Sequence, residues 1–208
     1  IIRQAMRALS PGSIAVVAPT GKAAVRLTEV MGNAGLPIEA KTIHSFVGVK
    51  SIRNDGEIIL DDATKPVSFV VVDESSMIPA RLLASMLRVL PSDCCVLFLG
   101  DTGQLPPIGH GAPLRDIVSS NTIPVGRLTE VRRNSGAIVR VCSEIANQSE
   151  YVPPKIVRES TGDNAIHAEC STSSILSRVE SIFRSPPPGI DSLQIQVLSP
   201  LKKKDSPV

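Results

Sequence analysis

Three continuous apolar runs, each ending in a polar signature, constrain this chain more than any other feature. Ile14-Ala15-Val16-Val17-Ala18 runs into Pro19-Thr20-Gly21-Lys22. Val67-Ser68-Phe69-Val70-Val71-Val72 stops at Asp73-Glu74, followed by Ser75-Ser76-Met77. Cys94-Cys95-Val96-Leu97-Phe98-Leu99 runs into Gly100-Asp101-Thr102-Gly103-Gln104. Strands apolar on both faces, separated by helical stretches, predict a parallel sheet covered on both sides. Parallel strands share a direction, so the polar tails gather along one edge, where ligands of open α/β sheets bind.

The middle tail carries the most specific chemistry. A carboxylate at the end of such a strand, here Asp73, suits Mg²⁺ held opposite the β- and γ-phosphates of a nucleotide. The next carboxylate, Glu74, suits a residue that orients or deprotonates the attacking water. An acidic strand-to-helix corner is the plain alternative, because carboxylates favour helix N-termini. That alternative loses ground because Gly100-Asp101 ends the following apolar run and Gln104 sits three residues on. An amide there is placed to contact a γ-phosphate.

Helical spacing organises the rest of the chain. Thr20 caps a predicted helix with Ala24, Leu27 and Met31 on one face, ending at Gly32-Asn33. Pro79 opens another, carrying Leu82, Leu83, Met86, Leu87 and Leu90 and stopped by Pro91. Ile138, Val141, Cys142 and Ile145 repeat the pattern in a later helix. Asn54-Asp55-Gly56, within residues 52–60, predicts a β-hairpin with a type I′ turn. Past Asn147 the composition shifts toward Ser, Pro and charge, and Ser185-Pro186-Pro187-Pro188-Gly189 reads as a loop or extended spacer. No internal repeat is visible.

Taken in order, these segments resemble RecD-type superfamily 1 DNA helicases, the family of the exodeoxyribonuclease V alpha subunit. Ala18-Pro19-Thr20-Gly21-Lys22-Ala23-Ala24 with Arg26-Leu27 is similar to the family's motif after the first strand pair. Thr42-Ile43-His44-Ser45 resembles its next, DNA-facing motif. Asp73-Glu74-Ser75-Ser76-Met77 is similar to its Walker B box, and Gly100 to Gly109 to its motif III. Leu128-Thr129-Glu130-Val131-Arg132-Arg133-Asn134 resembles the stretch bearing an arginine that reaches the γ-phosphate. Gln196-Val197-Leu198-Ser199-Pro200 resembles a strand end of the second motor domain.

The resemblance implies a P-loop NTPase fold: a RecA-like α/β domain over residues 1–130, with a hairpin insertion near 52–60, and the beginning of a second RecA-like domain over 131–208. It implies ATP and Mg²⁺ as cofactors, with Asp73 on the metal, Asp101 and Gln104 on the nucleotide, and Glu74 and Arg133 as catalytic residues. Arg132, its neighbour, is then a surface cation. Pro19, Thr20, Lys22, Thr42 and His44 become contacts to single-stranded DNA. His44 equally suits a helix-start histidine without a ligand, and Phe46 suits core packing better than base stacking. The implied activity is ATP-driven 5′-to-3′ translocation in recombination and repair, with other repair subunits as partners and a cytoplasmic location. ATP draws the two motor domains together, hydrolysis lets them part, and DNA contacts alternate with that cycle.

One departure qualifies the match. The phosphate loop G-x-x-x-x-G-K-[ST] is missing from the 208 residues. Gly21-Lys22 is a decoy, since the first glycine falls at Val16 and Ala23 replaces the Mg²⁺-binding Ser or Thr. The resemblance places that loop before the opening helix, Ile1 to Leu9, so the chain is expected to be a piece cut just after it and inactive alone in ATP hydrolysis. Two further readings stay open: a non-hydrolysing accessory module that binds DNA or a partner, and the helicase portion of a conjugative relaxase.

Composition agrees with an intracellular α/β protein. Hydrophobic residues make up 42% but aromatics only 2%, so the core is aliphatic. No apolar run approaches the ~20 residues of a membrane span. Four cysteines without paired C-x-x-C spacing read as buried thiols rather than metal ligands or disulfides. A net charge of +2 permits nucleic-acid binding without advertising it. Lys202 to Lys204 read as a solvated run.

Overall fold

The computed structural model describes residues 1–52, 58–60, 63–129, 137–147, 170–187 and 189–199. The chain divides into two compact units, Ile1–Leu128 and Thr129–Val208.

The first unit is built on a four-stranded sheet: β1 (Ile14–Ala18), β2 (Lys41–Thr42), β5 (Phe69–Val72) and β6 (Cys95–Phe98), in the order β2-β1-β5-β6. Every neighbouring pair is parallel, with Val17 opposite Lys41, Val17 opposite Val72, and Val72 opposite Phe98. The sheet is covered on both faces, as the unbroken apolar runs predict. Successive side chains of a strand point to opposite faces, and the two cores divide accordingly. Val17, Val70 and Val72 join one core with Val96 and Phe98. Ile14, Val16 and Val71 join the other with Phe69 and Leu97.

On the first face lie α3 (Ile43–Val47) and α4 (Ala80–Arg88), contributing Ile43, Phe46, Val47, Leu82 and Met86. Phe46 is thus a core residue. On the second face lie α1 (Ile2–Ala5) and α2 (Gly21–Asn33), contributing Ile2 and Met31. Ile43, Val17, Val70, Val72 and Met86 are fully buried, and each such side chain stabilises the fold by roughly 1.5–3 kcal/mol.

Several boundaries differ from the sequence reading. The opening helix is shorter than Ile1 to Leu9: α1 spans four residues, and only isolated turns continue to Leu9. Ser10-Pro11 follows and begins a separate 3-10 turn, so no helix extends through it. In α4 the buried face is Leu82, Ser85 and Met86, whereas Leu87 is exposed. Ser85 tolerates burial because its hydroxyl donates to the Arg81 carbonyl, 3.0 Å away. The helix ends at Arg88, three residues before Pro91.

Between α3 and β5, β3 (Val49–Ile52) and β4 (Ile58–Leu60) pair antiparallel as the expected hairpin. Its turn, Asn54-Asp55-Gly56, lies outside the described residues. Gly48 ends α3 at φ 73°, a left-handed conformation that suits a residue without a Cβ. The unit closes with α5 (Pro113–Ser120).

The second unit contains α6 (Ala137–Ala146) and α7 (Ile175–Arg184). The periodic residues of α6 do form a helix, with Ile138 and Val141 half-buried and Cys142 and Ile145 exposed. Residues 195–199 form no strand in the described structure.

The cysteines also correct the sequence reading. All four are free, as expected, but Cys95, Cys142 and Cys170 are exposed and only Cys94 is half-buried. Cys95 begins β6, which among the described strands lies at the edge of the sheet and pairs only with β5. Burial pushes the Cys94 thiol above its ordinary value, and neighbouring Cys95 and Asp93 push the same way. No described helix is long and apolar enough to cross a membrane.

Candidate nucleotide and nucleic-acid edge

Strand order sets the order of the polar tails. Read across the carboxyl edge of the sheet, β2 delivers Thr42 and His44, and β1 delivers Pro19, Thr20 and Lys22. Then β5 delivers Asp73 and Glu74, and β6 delivers Asp101 and Gln104. Thus the segments that resemble DNA-facing motifs lie side by side, the nucleotide-facing ones lie side by side, and the carboxylate pair adjoins the boundary. Arg132, Arg133 and Asn134 lie outside the described residues.

On the β1–β2 side, both tails enter helices through threonines. Thr20, in extended backbone, accepts the Ala23 N–H at 3.3 Å and caps α2. Thr42 accepts the Ser45 N–H at 3.1 Å and caps α3. Each hydroxyl satisfies one donor left unpaired in the first helical turn. Pro19 is half-buried, while Thr20, Lys22 and His44 are exposed. Lys22 stands in the first turn of α2, where the helix dipole disfavours a cation and favours an anion.

On the β5–β6 side the backbone is more constrained. The Asp73 N–H donates to the Val17 carbonyl at 2.9 Å, and the Leu99 N–H donates to the Val72 carbonyl at 2.8 Å. These bonds extend the parallel ladders by one step past the strands. Glu74 then adopts φ 50°, ψ 36°, a left-handed conformation unusual for a residue with a Cβ. After it, the Ser75 N–H (2.9 Å) and Ser75 hydroxyl (2.7 Å) both donate to the Leu99 carbonyl. Asp73 and Glu74 are half-buried, and Ser75 and Ser76 buried.

The Asp101 carboxylate accepts the Gly103 N–H at 2.9 Å, and its carbonyl accepts the Gln104 N–H at 3.1 Å. Asp101 therefore shapes its own turn, and Gln104 stands exposed on that turn. The loop continues through exposed Leu105 and Ile108 and is pinned at its far end, where the Ala80 N–H donates to the His110 carbonyl at 3.0 Å.

The donor set fits Mg²⁺ held in one particular way. No cluster of three or more His, Cys, Asp or Glu exists among the described residues. A pair of adjacent, half-buried carboxylates suits a magnesium ion that takes one or two protein oxygens and fills its remaining positions with phosphate and water. The Gly21-Lys22 turn is no phosphate cradle: Lys22 sits in the first turn of α2, and Val16, where the first glycine of such a loop would fall, is a buried residue of β1.

Sequence reasoning missed Ser75 and Gly100. A Cβ at Gly100 would lie 2.7 Å from Leu114 Cδ2, 2.8 Å from Ser75 Oγ and 2.9 Å from the Ser76 backbone nitrogen. The signal was a doubled serine after the carboxylates and a glycine at the next strand's end, but neither reveals a partner by itself. The Ser76 hydroxyl is buried without a hydrogen-bond partner among the described residues.

Residues 1–165 match the AAA domain family AAA_30. The ATP-dependent RecD2 DNA helicase of Deinococcus radiodurans is 37% identical over 124 residues, covering 59% of this chain and 16% of that protein. The RecBCD enzyme subunit RecD of Haemophilus influenzae is 33% identical over 127 residues, covering 53% of this chain and 20% of that subunit. A solved structure of Pif1 helicases at forked double-stranded DNA aligns with a TM-score of 0.47 and 22% identity, over 71% of this chain and 41% of that one. The chain spans a fifth or less of the length of the two curated relatives. By its match over residues 1–165, the chain belongs to the AAA domain family AAA_30, and RecD-type DNA helicases are among its relatives.

Proposed function

We propose that these residues form part of the motor of an ATP-dependent helicase that moves along single-stranded DNA, 5′ to 3′, in recombination or repair. The observation that carries this reading is the strand order, which gathers the segments resembling DNA-facing motifs on one half of a sheet edge and those resembling nucleotide-facing motifs on the other. Asp73 would hold Mg²⁺, which would supply charge neutralisation on the nucleotide phosphates. Glu74 orients the attacking water and accepts its proton. Gln104, on an exposed loop pinned at its base, contacts the γ-phosphate, and Asp101 keeps that loop in shape. Arg133 stabilises charge on the transferring group. Pro19, Thr20, Lys22, Thr42 and His44 follow the DNA backbone, with Lys22 and the capped helix starts supplying positive potential. RecD and RecD2 relatives support this class, and a RecBCD-like complex is one setting for it.

DNA-stimulated ATP hydrolysis tests the reading. In a protein that joins these residues to a phosphate loop, Glu74→Gln keeps Mg²⁺-nucleotide binding and suppresses hydrolysis, whereas Asp73→Asn weakens binding itself. Turnover near wild type in both variants would collapse the assignment. The 208-residue chain alone is expected not to hydrolyse ATP, because it lacks the backbone N–H groups and lysine that cradle the β-phosphate.

A further inference from the structure

We propose that Ser75 is a positioning residue that holds Glu74 in its left-handed conformation and thereby sets where its carboxylate can act. The inference rests on the role given to Glu74 above. Left-handed backbone at a residue with a Cβ persists only where the surroundings over-determine it. Both sides of Glu74 are fixed. Before it, the Asp73 N–H is tied to the Val17 carbonyl at 2.9 Å, so the chain is still locked to β1. After it, Ser75 is tied twice to the Leu99 carbonyl, by its N–H at 2.9 Å and its hydroxyl at 2.7 Å, so the chain is locked to the end of β6. Ser75 is only 2% exposed, which shields both bonds from water.

Gly100 makes the second lock possible. Any Cβ there would press on Ser75 Oγ at 2.8 Å and on the Ser76 backbone nitrogen at 2.9 Å, and the latter cannot swing away. A 3-10 turn follows at once, with the Met77 N–H donating to the Glu74 carbonyl at 3.0 Å. Glu74 is thus the residue between an anchor to β1 and an anchor to the end of β6. An extended conformation at that position would carry residue 75 onward along the strand, away from the Leu99 carbonyl. The clamp therefore joins β5 and β6 through the backbone of the proposed water-activating residue.

Thermal unfolding of the 208-residue chain tests the clamp without reference to activity. Ser75→Ala removes one bond but leaves the Leu99 carbonyl paired with the residue-75 N–H, so the variant folds. Glycine adopts left-handed backbone without penalty and alanine does not, so Glu74→Gly melts above Glu74→Ala by about 2–4 °C. Adding Ser75→Ala to both variants frees the turn and shrinks that gap. No gap, or a gap that Ser75→Ala leaves unchanged, overturns the inference.

Kinetics of a protein that also carries a phosphate loop supply the chemical half. Ser75→Ala there lowers kcat for ATP by about ten- to a hundredfold, with KM within about twofold, since a small misplacement of a reacting group has effects of that size. Turnover abolished by Glu74→Gln but unchanged by Ser75→Ala overturns this inference alone. Turnover unchanged by Glu74→Gln removes the role of Glu74 and takes the inference with it, while the melting comparison still judges the clamp.

Discussion

Where β1 and β2 end, the chain turns into helices through ordinary extended backbone, Thr20 at φ −121° and Thr42 at φ −69°, each hydroxyl capping a helix. Where β5 ends, the chain turns through Glu74 at φ 50°, between anchors on both neighbouring strands. The first half of the edge thus uses locally favourable geometry, and the second uses geometry that only its neighbours sustain. A surface that grips and releases a polymer backbone needs many replaceable contacts, each weak. A site that must hold a carboxylate at one place needs constraint, and constraint costs stability. Substitutions in the two halves should therefore fail in different ways: graded loss of affinity on one side, loss of turnover with intact binding on the other.

The largest expected effect tests whether the proposed chemistry depends on an arginine. In a protein carrying a phosphate loop, Arg133→Ala should cut ATP turnover by about 10³–10⁵, the range for arginines that stabilise transferring phosphoryl groups. Arg132→Ala should change it only a few-fold, because surface charges are screened. DNA binding without nucleotide should survive both substitutions. If the two exchange effects, the register of the motif is off by one. If both are mild, neither arginine senses the γ-phosphate.

Glu74→Gln is expected to be the next largest, lowering turnover by about 10²–10⁴, the range for a positioned general base. Equilibrium binding of Mg²⁺ with a non-hydrolysable nucleotide should stay near wild type, and a parallel loss of binding would show that Glu74 shares the role of Asp73.

Lys22→Ala breaks the comparison from the other side. It should weaken single-stranded DNA binding several-fold at moderate salt. It should also lower the salt-dependence slope by about 0.7, the share that each neutralised phosphate of a single strand adds to that slope. Its effect on ATP turnover without DNA should be negligible. An unchanged slope would mean that Lys22 is merely a solvated cation at an unfavourable helix position.

How much of this was legible in the sequence follows from how local each determinant is. The sheet was legible because Ile14 to Ala18 and Phe69 to Val72 are apolar on both faces, a pattern few other environments allow. The caps were legible because Thr20 and Thr42 act within three residues of themselves. The order of the tails across the edge was not, since nothing local fixes β5 between β1 and β6. The clamp was invisible for the same reason: Ser75 meets Leu99 across 24 positions of sequence. The exposed cysteines were misjudged because burial was read from residue type, while Cys95 begins a strand at the edge of the described sheet.

The smallest expected effects decide whether the β1–β2 half is more than two capped helices. Replacing a capping threonine by alanine typically removes about 1 kcal/mol, a fall of about 2–4 °C in Tm for a chain of this size. Thr20 caps a helix of 13 residues and Thr42 one of five. A longer helix has more packing to hold it once its cap is removed, so Thr42→Ala should cost more than Thr20→Ala. Serine keeps the capping oxygen and loses only a methyl group, so Thr20→Ser and Thr42→Ser should restore most of each loss. Single-stranded DNA affinity, measured alongside, then separates the roles. If each hydroxyl serves only its helix, affinity should follow Tm through both substitutions and recover with it. If the hydroxyls also meet phosphate, the alanine variants should lose affinity well below their melting range, where the folded population is unchanged, and the serine variants should regain it.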